Sequence, residues 1–575
     1  RGSLGGKARG LAFVSTLLNN AGHLRERFPQ VDILIPKTMV ISTEGFDAFM
    51  AENHLGDVAH TDLADDQINA RFVDAKLPPN LIDDRRRYLQ YATYPLAVRS
   101  SSLLEDAYSQ PYAGIYRTYM IPNYDPSTEE RVRQLATAVK QVYASTFLNI
   151  PRSFAKITLH RTEEEKMAVV VQQLVGDLQD NLFYPCISGV AQSHNYYPVA
   201  PMRSEDGVAH IALGLGKTVV EGGNALRFSP RYPQVLPQFS TVDDMLANAQ
   251  RYFYALKMDP PPGTALADED ATLARIDVDE AGHHAAVRHV SSYYLPQENR
   301  IRDAWSKQGY PVITFARILK HDSFPLAEIL QELLTIGRNG MGGPVEMEFC
   351  VRVDPDNKSR PQFALLQIRP MSVGGNNQQV NIAKKEIQEA LLHTQKALGV
   401  SHISPVTDIV YVKPERFDPS RTRAMAEEIG IINSTLAKAG RNYLLIGPGR
   451  WGSADHWLGI PVNWQNISNV LAIVETSADN INADASQGSH FFHNITSLGI
   501  AYLTIRKVQE GTIQWDQLAR FPMVAEAEYV RHVRPEQPVI LKVDGRSSQA
   551  VVLPEASAGF FDDQLMQLPQ DCRRS

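Results

Sequence analysis

Two carboxylates separated by one residue mark the first candidate site. The tripeptide Glu346-Met347-Glu348 has apolar neighbours, so we expect a strand, and side chains two positions apart leave the same face of a strand. Like charges placed in this way repel unless a cation lies between them. A Mg²⁺ ion held by carboxylates and phosphate oxygens would satisfy both groups. A solvated strand face is the alternative.

Polar residues on a later predicted strand could complete this site. Apolar and polar residues alternate over residues 365–369, which places Gln367 and Arg369 on one face of that strand. If the two strands pair, both glutamates and these two side chains line one pocket.

A lysine near the start of the chain lies in a context that suits an anion. Lys7 closes the tripeptide Gly5-Gly6-Lys7 at the head of an amphipathic helix. Backbone amides at such a helix start and an ammonium group can face the same phosphate. Ordinary turn glycines are the alternative, because glycine pairs before helices are common.

Arg99 is the second candidate for binding phosphate. It lies where a predicted strand ends, ahead of a hydroxyl-rich loop, in residues 97–106. A guanidinium can bind two phosphate oxygens at once. The alternative is a structural ion pair with Glu105 or Asp106.

A glycine-rich loop in the second half is a further candidate. Residues 443–452 run from a predicted strand into a loop with glycines around Arg450, and Asp455 and His456 follow. The loop could bind an anion through its amides and guanidinium. It could equally be a rigid turn anchored by Trp451 and Trp457.

The elements that position these residues alternate between strands and helices. Short apolar runs predict strands, and periodicity near 3.6 predicts helices. Strands are predicted at residues 31–41, 96–98, 167–175 and 363–368, and helices at 11–18, 129–147 and 327–336. This mixture predicts a mixed α/β (α+β) architecture. With 575 residues, the chain has room for three or four compact units.

The main domain boundary is predicted in the small, polar segment 372–379. It divides the chain into a first unit at 1–375, an α/β domain at 376–525 and a β-rich C-terminal segment at 526–575. In the last two units a helix is predicted at 382–398, and strands at 443–446, 471–474, 501–505, 538–543 and 549–553.

The composition limits the classes of binding partner that we expect for this chain. The net charge of −7 gives no reason to expect nucleic acid, and no run of apolar residues is long enough for a membrane span. The three cysteines, Cys186, Cys350 and Cys572, are too far apart for a zinc motif and suit a cytoplasmic protein. Because the chain begins at Arg1 without methionine, we expect a piece of a longer protein.

The order of these motifs resembles the nucleotide-binding domain of the pyruvate phosphate dikinase and phosphoenolpyruvate synthase family. In chain order the shared segments are Gly5-Gly6-Lys7, Ile35-Pro36 before Val40, 98–101 with Glu105-Asp106, 167–172, 188–191, 214–216 with Val219-Val220, 346–348 and 366–370. The resemblance covers residues 1–375. It implies an ATP-grasp-like, two-lobed nucleotide-binding module followed by a smaller α/β C-terminal domain.

The resemblance also implies roles for individual residues. Lys7 and Arg99 would hold the phosphates of ATP, and Gln367 and Arg369 would complete that end of the site. Glu346 and Glu348 would carry Mg²⁺. The strand of Gln172 would face the adenine, and the turn from Gly214 to Gly216 would approach the nucleotide closely because it lacks side chains. Related enzymes have an acidic residue after this turn, where the chain has Lys217.

A histidine in the second half could accept a phosphoryl group. The segment 487–493, followed by Leu498-Gly499-Ile500, loosely resembles the family's phosphohistidine loop, with His490 as the acceptor. A neutral imidazole is nucleophilic near neutral pH. A packed core histidine is the alternative.

These observations predict a Mg-ATP-dependent phosphotransferase of the dikinase type, which transfers a phosphoryl group from ATP to a histidine of its own or of a partner. The acceptor could be a separate domain or a small molecule such as pyruvate. Too few residues follow the linker for the barrel that binds pyruvate in the family. That observation and Lys217 favour the alternative of a non-catalytic ATP sensor. An ATP-grasp ligase that activates a carboxylate is a third possibility.

Overall fold

The computed structural model describes residues 2–105, 112–158, 165–260, 268–304, 306, 308–353, 359–373, 380–478, 481, 487–507, 509–545 and 547–555. Asp106, Cys572 and most of the predicted linker 372–379 lie outside the described residues. Within these ranges no helix has the length and apolar character that a membrane crossing requires.

The elements follow in chain order. The helices are α1 (Gly5–Asn20), α2 (His23–Arg27), α3 (Thr43–Glu52), α4 (Asp65–Asp74), α5 (Pro79–Tyr91), α6 (Thr128–Ser145), α7 (Asn149–Thr158), α8 (Lys217–Val220), α9 (Val242–Asn248), α10 (Ala285–Val290), α11 (Ala316–Leu319), α12 (Leu326–Met341), α13 (Lys384–Glu389), α14 (Thr422–Lys438), α15 (His490–Ser497) and α16 (Trp515–Arg520).

The strands up to residue 370 are β1 (Asp32–Leu34), β2 (Thr38–Ile41), β3 (Leu96–Ser102), β4 (Thr118–Ile121), β5 (Met167–Gln173), β6 (Asp177–Gln179), β7 (Leu182–Tyr184), β8 (Ile187–Gln192), β9 (Val208–Ala212), β10 (Leu226–Phe228), β11 (Tyr252–Lys257), β12 (Leu273–Asp277), β13 (Ser291–Leu295), β14 (Arg300–Arg302), β15 (Tyr310–Ile313), β16 (Val345–Arg352) and β17 (Gln362–Pro370). The later strands are β18 (Leu392–Thr394), β19 (Ala397–Leu398), β20 (Val400–Val406), β21 (Ile409–Val412), β22 (Tyr443–Pro448), β23 (Arg450–Trp451), β24 (Gly459–Ile460), β25 (Val470–Thr476), β26 (Ala501–Ile505), β27 (Gly511–Ile513), β28 (Met523–Glu526), β29 (Val530–Val533), β30 (Val539–Asp544) and β31 (Gln549–Pro554).

Two sheets of the first part carry the residues singled out from the sequence. Sheet I has the strand order β1-β17-β16-β8-β9-β10, and sheet II has the order β2-β5-β3-β4. Sheet I is covered on one face by α12, whose apolar stripe includes the buried Leu330 and Leu333. Glu346 lies opposite Arg369, and Glu348 lies opposite Gln367, in the antiparallel pairing of β16 and β17. The predicted strand pairing is therefore confirmed.

The second part contains two further sheets. Sheet III has the order β19-β26-β25-β22-β21-β29-β28, and sheet IV has the order β20-β30-β31-β18-β27. The strands β21, β22, β25 and β26 pair in parallel. Strands from both sides of residue 526 share these two sheets, so the β-rich segment continues the preceding α/β unit. The two boundaries between the three units themselves stay a prediction.

The C-terminal unit packs against the first part through a shared hydrophobic core. One cluster of buried residues draws side chains from α3 to α7 and from α14, α15 and sheet III. Within it, Phe154 and Trp464 meet edge to face with ring centroids 5.1 Å apart, and Trp464 stacks on Phe491 at 5.1 Å. Burial of aromatic surface on this scale fixes the relative position of the two parts.

Most predicted elements are confirmed, and two are not. The run 31–41 is interrupted by Pro36 and forms β1 and β2, which belong to different sheets. The helix predicted at 382–398 is wrong beyond residue 389, since the chain continues there as β18 and β19. The physical reason is tertiary pairing, because β18 fits between β31 and β27 and buries Leu392.

Candidate functional site

A cavity of about 540 Å³ lies between sheet I, sheet II and the C-terminal unit. Its wall includes five residues that the sequence singled out for the site: Arg99, Gln172, Gly216, Glu348 and His490. The volume falls within the range of small-molecule binding pockets. Five of the predicted site residues therefore meet at one concave site.

Arg99 joins the two sheets at the centre of this site. It extends from β3, and its Nη2 donates to Oε2 of Glu348 at 2.6 Å and to Oε1 of Gln367 at 3.0 Å. The alternative pairing of Arg99 with Glu105 is wrong, because Glu105 turns toward Lys7. The guanidinium of Arg99 therefore lies at the end of the cavity that Glu348 borders.

The other oxygen of Glu348 faces the C-terminal unit. His490 is the first residue of α15, and its Nε2 lies 3.2 Å from Oε1 of Glu348. The Ser489 side chain caps this helix by accepting a hydrogen bond from the amide of Phe492. Gly114 permits the approach of the imidazole, since a Cβ atom on it would lie 2.4 Å from Nδ1 of His490.

Glu346 lies behind the cavity wall in a separate network. Its Oε1 accepts from Nε of Arg369 at 2.8 Å and also from Nη2 of Arg369. Its Oε2 accepts from Nε2 of Gln192 at 2.6 Å and lies 3.4 Å from Nδ1 of His493. The side chain is 1% exposed, so both oxygens are engaged inside the protein. Gln192 in turn contacts Gln487 at 3.1 Å.

These pairings set the charge states of the site. Burial opposes ionisation of Glu348, but Arg99 and His490 outweigh it and hold the pKa of Glu348 well below its usual range. Burial likewise opposes ionisation of Glu346, and Arg369 with His493 holds its pKa below the usual range. For His490 burial dominates and lowers the pKa, despite the hydrogen bond to Glu348. Its imidazole is therefore neutral at neutral pH.

Lys7 lies apart from the cavity wall. It is buried in the first turn of α1, and its Nζ donates to Oε1 of Glu105 at 2.8 Å. The start of α1 packs directly on β3, because Gly5 has a φ of 76° and no space for a Cβ beside the Ser101 carbonyl. The Ser101 hydroxyl accepts from the amide of Ala8 at 3.1 Å.

The residues that the resemblance places near the adenine and close to the nucleotide lie on β5 and in the turn 214–216. Gln172 is on β5, and its side chain points to Thr38 Oγ1 at 3.4 Å. Gly216 lines the cavity, whereas Gly214 lies behind it with a φ of 87°. The Ser188 hydroxyl donates to the Gly214 carbonyl at 2.6 Å and holds this turn in place.

Sequence reasoning missed an acidic cluster around Lys217. Its Nζ lies 2.7 Å from Glu221 and 2.7 Å from Asp270, and all three line the cavity with Glu269. Burial acts against the charge of Lys217, but the two carboxylates outweigh it and raise its pKa. No local motif signals this cluster, since Asp270 comes from a distant segment. The cation after the glycine turn is thus neutralised by its neighbours.

The glycine-rich loop of the C-terminal unit serves the contact between the two parts. Nη1 of Arg450 donates to the carbonyls of Gly222 at 2.9 Å and Gly223 at 3.1 Å. Asp455 accepts from the Tyr252 hydroxyl at 2.7 Å. Of the two tryptophans predicted to anchor this loop, Trp451 is buried, but Trp457 is 56% exposed. His456 flanks Trp457 rather than the cavity.

A second contact holds α15 against the first part. Nδ2 of Asn494 donates to the Ala113 carbonyl at 2.7 Å, and Oδ1 of Asn494 accepts from the Ala113 amide at 3.1 Å. Phe492 packs edge to face on Tyr196 at 5.5 Å. Helix α15 therefore places His490 at the cavity, and the contacts of Asn494 and Phe492 hold the helix there.

The facing sheets and the shared cavity define a two-lobed nucleotide-binding module of the ATP-grasp type. The family model described as "Pyruvate phosphate dikinase, AMP/ATP-binding domain" matches residues 1–390, which is more than half of the 575 residues. The chain belongs to this family, and the predicted resemblance and fold class are confirmed.

A curated relative gives a weaker and shorter match. YvkC of Bacillus subtilis (strain 168), named as an uncharacterized phosphotransferase, is 30% identical over 190 residues. The matched segment is 33% of this chain and 20% of the relative. The chain thus corresponds to about a fifth of that protein's length.

Proposed function

We propose that this chain is a Mg-ATP-dependent phosphotransferase of the dikinase type, in which His490 accepts a phosphoryl group from ATP. The observation that carries the proposal is the position of His490, with Nε2 3.2 Å from Glu348 in the wall of the cavity that also contains Arg99. Membership of the AMP/ATP-binding family and the likeness to a named phosphotransferase agree with it.

In this proposal Arg99 binds the phosphates of ATP. Its guanidinium lines the cavity, and its present partners, Glu348 and Gln367, are side chains that can release it to an anion. Arg369 and Lys7 are not among the cavity-lining residues; they pair with the buried Glu346 and Glu105. Gln172 and Gly216 border the rest of the nucleotide.

The carboxylates differ in their fitness to hold Mg²⁺. Glu348 borders the cavity with a side chain 10% exposed, so an oxygen can reach an ion there. Glu346 has both oxygens engaged by buried partners and suits a supporting role. Mg²⁺ bound at Glu348 would neutralise part of the phosphate charge.

The transfer step follows from the chemistry of a neutral imidazole. Nε2 uses its lone pair to attack the phosphorus, while the P–O bond to the leaving nucleotide or phosphate group breaks and its electrons stay on that oxygen. For this attack the ring proton must lie on Nδ1, so the contact between Nε2 and Glu348 has to open when ATP enters. In-line attack needs Nε2 within about 3–3.5 Å of the phosphorus.

The fixed position of His490 bears on the second acceptor. Because α15 is held by Asn494 and by the shared aromatic core, His490 cannot swing to a distant site without breaking those contacts. A small-molecule acceptor that reaches the same cavity is therefore favoured over a separate carrier domain. Which acceptor this is, and a cytoplasmic site of action, belong to the proposal.

The test is incubation of the purified chain with Mg-ATP labelled separately at the β and γ phosphates. We expect acid-labile label on the protein, with loss of that label in His490→Ala. Label from the β position together with AMP would mark the dikinase reaction, whereas label from the γ position with ADP would mark a simple kinase. His456→Ala is the matched control, since it lies in the same unit but away from the cavity wall.

The alternative is a non-catalytic ATP sensor. The favouring observation is the interlocked contact between the parts, in which Arg450 and Ser453 hold the Gly222 carbonyl beside the cavity-lining Glu221. A nucleotide bound next to Glu221 would therefore act directly on the contact between Gly222 and the C-terminal unit. ATP binding without transfer of either label, and without consumption of nucleotide, would favour this function.

A further inference from the structure

A cluster of two histidines and an aspartate lies outside the nucleotide cavity. Asp180 is in the turn between β6 and β7, and His283 and His284 immediately precede α10. One possible ligand atom from each of the three residues lies within 4.8 Å of the others. None of the three lines the nucleotide cavity.

The distances within the cluster match those between ligands of one small ion. Nε2 of His283 is 3.1 Å from Oδ2 of Asp180, and Nε2 of His284 is 3.2 Å from the same oxygen. Metal–ligand bonds of about 2.0–2.1 Å in tetrahedral geometry place ligand atoms about 3.3 Å apart. Three ligands with a fourth position left to water is a common arrangement for zinc.

The surroundings of the cluster are those of a built site. His284 is 5% exposed, and its Nδ1 lies 2.7 Å from the Tyr184 hydroxyl, so the ring is held with Nε2 toward Asp180. Metal-binding histidines usually have such a partner on the second ring nitrogen. By contrast, the side chains of His283 and Asp180 are 66% and 70% exposed, which leaves the site open to an ion from solvent.

We propose that Asp180, His283 and His284 form a binding site for Zn²⁺ or a similar transition metal. Two imidazoles and one carboxylate suit such ions, while Mg²⁺ and Ca²⁺ prefer oxygen ligands. The ion ties the β6–β7 turn to the start of α10. Because β6 closely follows β5, this bond steadies the chain just beyond the strand that carries Gln172.

The test is equilibrium dialysis of the purified chain against Zn²⁺, in a Cys572→Ser background that removes a thiol outside the described residues. We expect one Zn²⁺ per chain, and loss of that ion in the Asp180→Asn, His283→Ala double variant. Tyr184→Phe should bind about tenfold more weakly. In the Co²⁺-loaded protein, visible absorption should show nitrogen and oxygen ligands without thiolate bands.

A second histidine–aspartate contact provides the matched control. His321 lies 3.1 Å from Oδ2 of Asp303, but Lys320 takes the place of the second histidine. The His321→Ala variant should therefore keep the full Zn²⁺ content. Absence of bound Zn²⁺ in the parent, or equal uptake by the parent and the Asp180→Asn, His283→Ala variant, would overturn the proposal. Both substituted side chains are exposed, so we expect the double variant to fold. Its circular dichroism spectrum, compared with that of the parent, would verify this.

Discussion

Glu348 and His490 are 142 positions apart in the chain, yet Oε1 of the glutamate lies 3.2 Å from Nε2 of the histidine. The other carboxylate oxygen binds Arg99 at 2.6 Å. A single carboxylate thus connects the proposed phosphate-binding cation with the proposed acceptor, and each of these three groups comes from a different sheet or unit.

Replacement of the two glutamates should separate catalysis from stability. We expect Glu348→Gln to fold and to bind ATP, but to transfer phosphoryl at least about 10²-fold more slowly, because it loses a charge in the cavity wall. Glu346→Gln should instead lower the free energy of unfolding by about 3–5 kcal/mol, since it removes one charge of a buried ion pair with Arg369. Labelling rates and thermal melts of both variants would check this. Equal losses of stability would contradict the division of roles.

Arg99 should determine nucleotide affinity. Charge-assisted hydrogen bonds contribute about 1.5–3 kcal/mol, so Arg99→Ala should weaken ATP binding by about 10–100-fold. Lysine keeps the charge but lacks the forked geometry, so the ATP affinity of Arg99→Lys should lie between those of the parent and Arg99→Ala. Isothermal titration calorimetry on the three proteins would measure the order. An Arg99→Ala protein that folds and binds ATP with parental affinity would rule out the phosphate role.

The pH dependence of phosphoryl uptake should report on His490. Burial lowers its pKa below the usual value of about 6.5, so the neutral imidazole persists into mildly acidic solution. We expect kcat/KM for labelling, which reflects the free protein, to stay level as pH falls through 6.5 and to decline only below it. Glu348→Gln removes a carboxylate that favours the imidazolium, so its residual activity should decline at a still lower pH. A decline centred at or above 6.5 would contradict this assignment.

Much of the fold and part of the site followed from local sequence. The alternation of residues 365–369 predicted the face on which Gln367 and Arg369 lie, because a strand has only two faces and the pairing with β16 preserves them. The sequence could not show that Glu346 is enclosed while Glu348 reaches the cavity. That difference depends on Gln192 and His493, which are remote in the chain.

Contacts between distant segments account for the rest. The partner of Lys7 is Glu105 rather than an anion in the main cavity. Likewise, Lys217 is neutralised by Asp270, which is remote from it in the chain. Neither pairing leaves a periodic signal. The proximity of His490 to Glu348 likewise depends on how the C-terminal unit packs, which no single motif encodes.

Asn494 should be needed for the docking of α15 on the first part. Asn494→Ala removes two hydrogen bonds to the backbone of Ala113, each contributing about 0.5–1.5 kcal/mol. We expect faster hydrogen exchange in α15 and a fall in labelling of His490. Asn433→Ala is the control, because the described hydrogen bonds of its side chain lie within the C-terminal unit, to Gln465, Ser468, Tyr443 and Asn469. Equal loss of labelling in both variants would point to general destabilisation instead.

Glu165 should make stability depend on pH near neutrality. Burial raises its pKa to about 7, and within the described part of the chain its Oε1 has no hydrogen-bond partner. A raised pKa in the folded state favours the protonated form. Its contribution is therefore complete below the unfolded value of about 4.5 and is lost as pH rises toward 7.

This loss amounts to about 3 kcal/mol at most, and Glu165→Gln should remove it, because glutamine stays neutral throughout. The measurement is chemical denaturation of both proteins at pH 5 and pH 8, with the exposed Glu52→Gln as a control that follows the parent. We expect the parent to lose more stability than Glu165→Gln between these two pH values. Parallel losses would show that Glu165 is ionised in the folded protein already at pH 5.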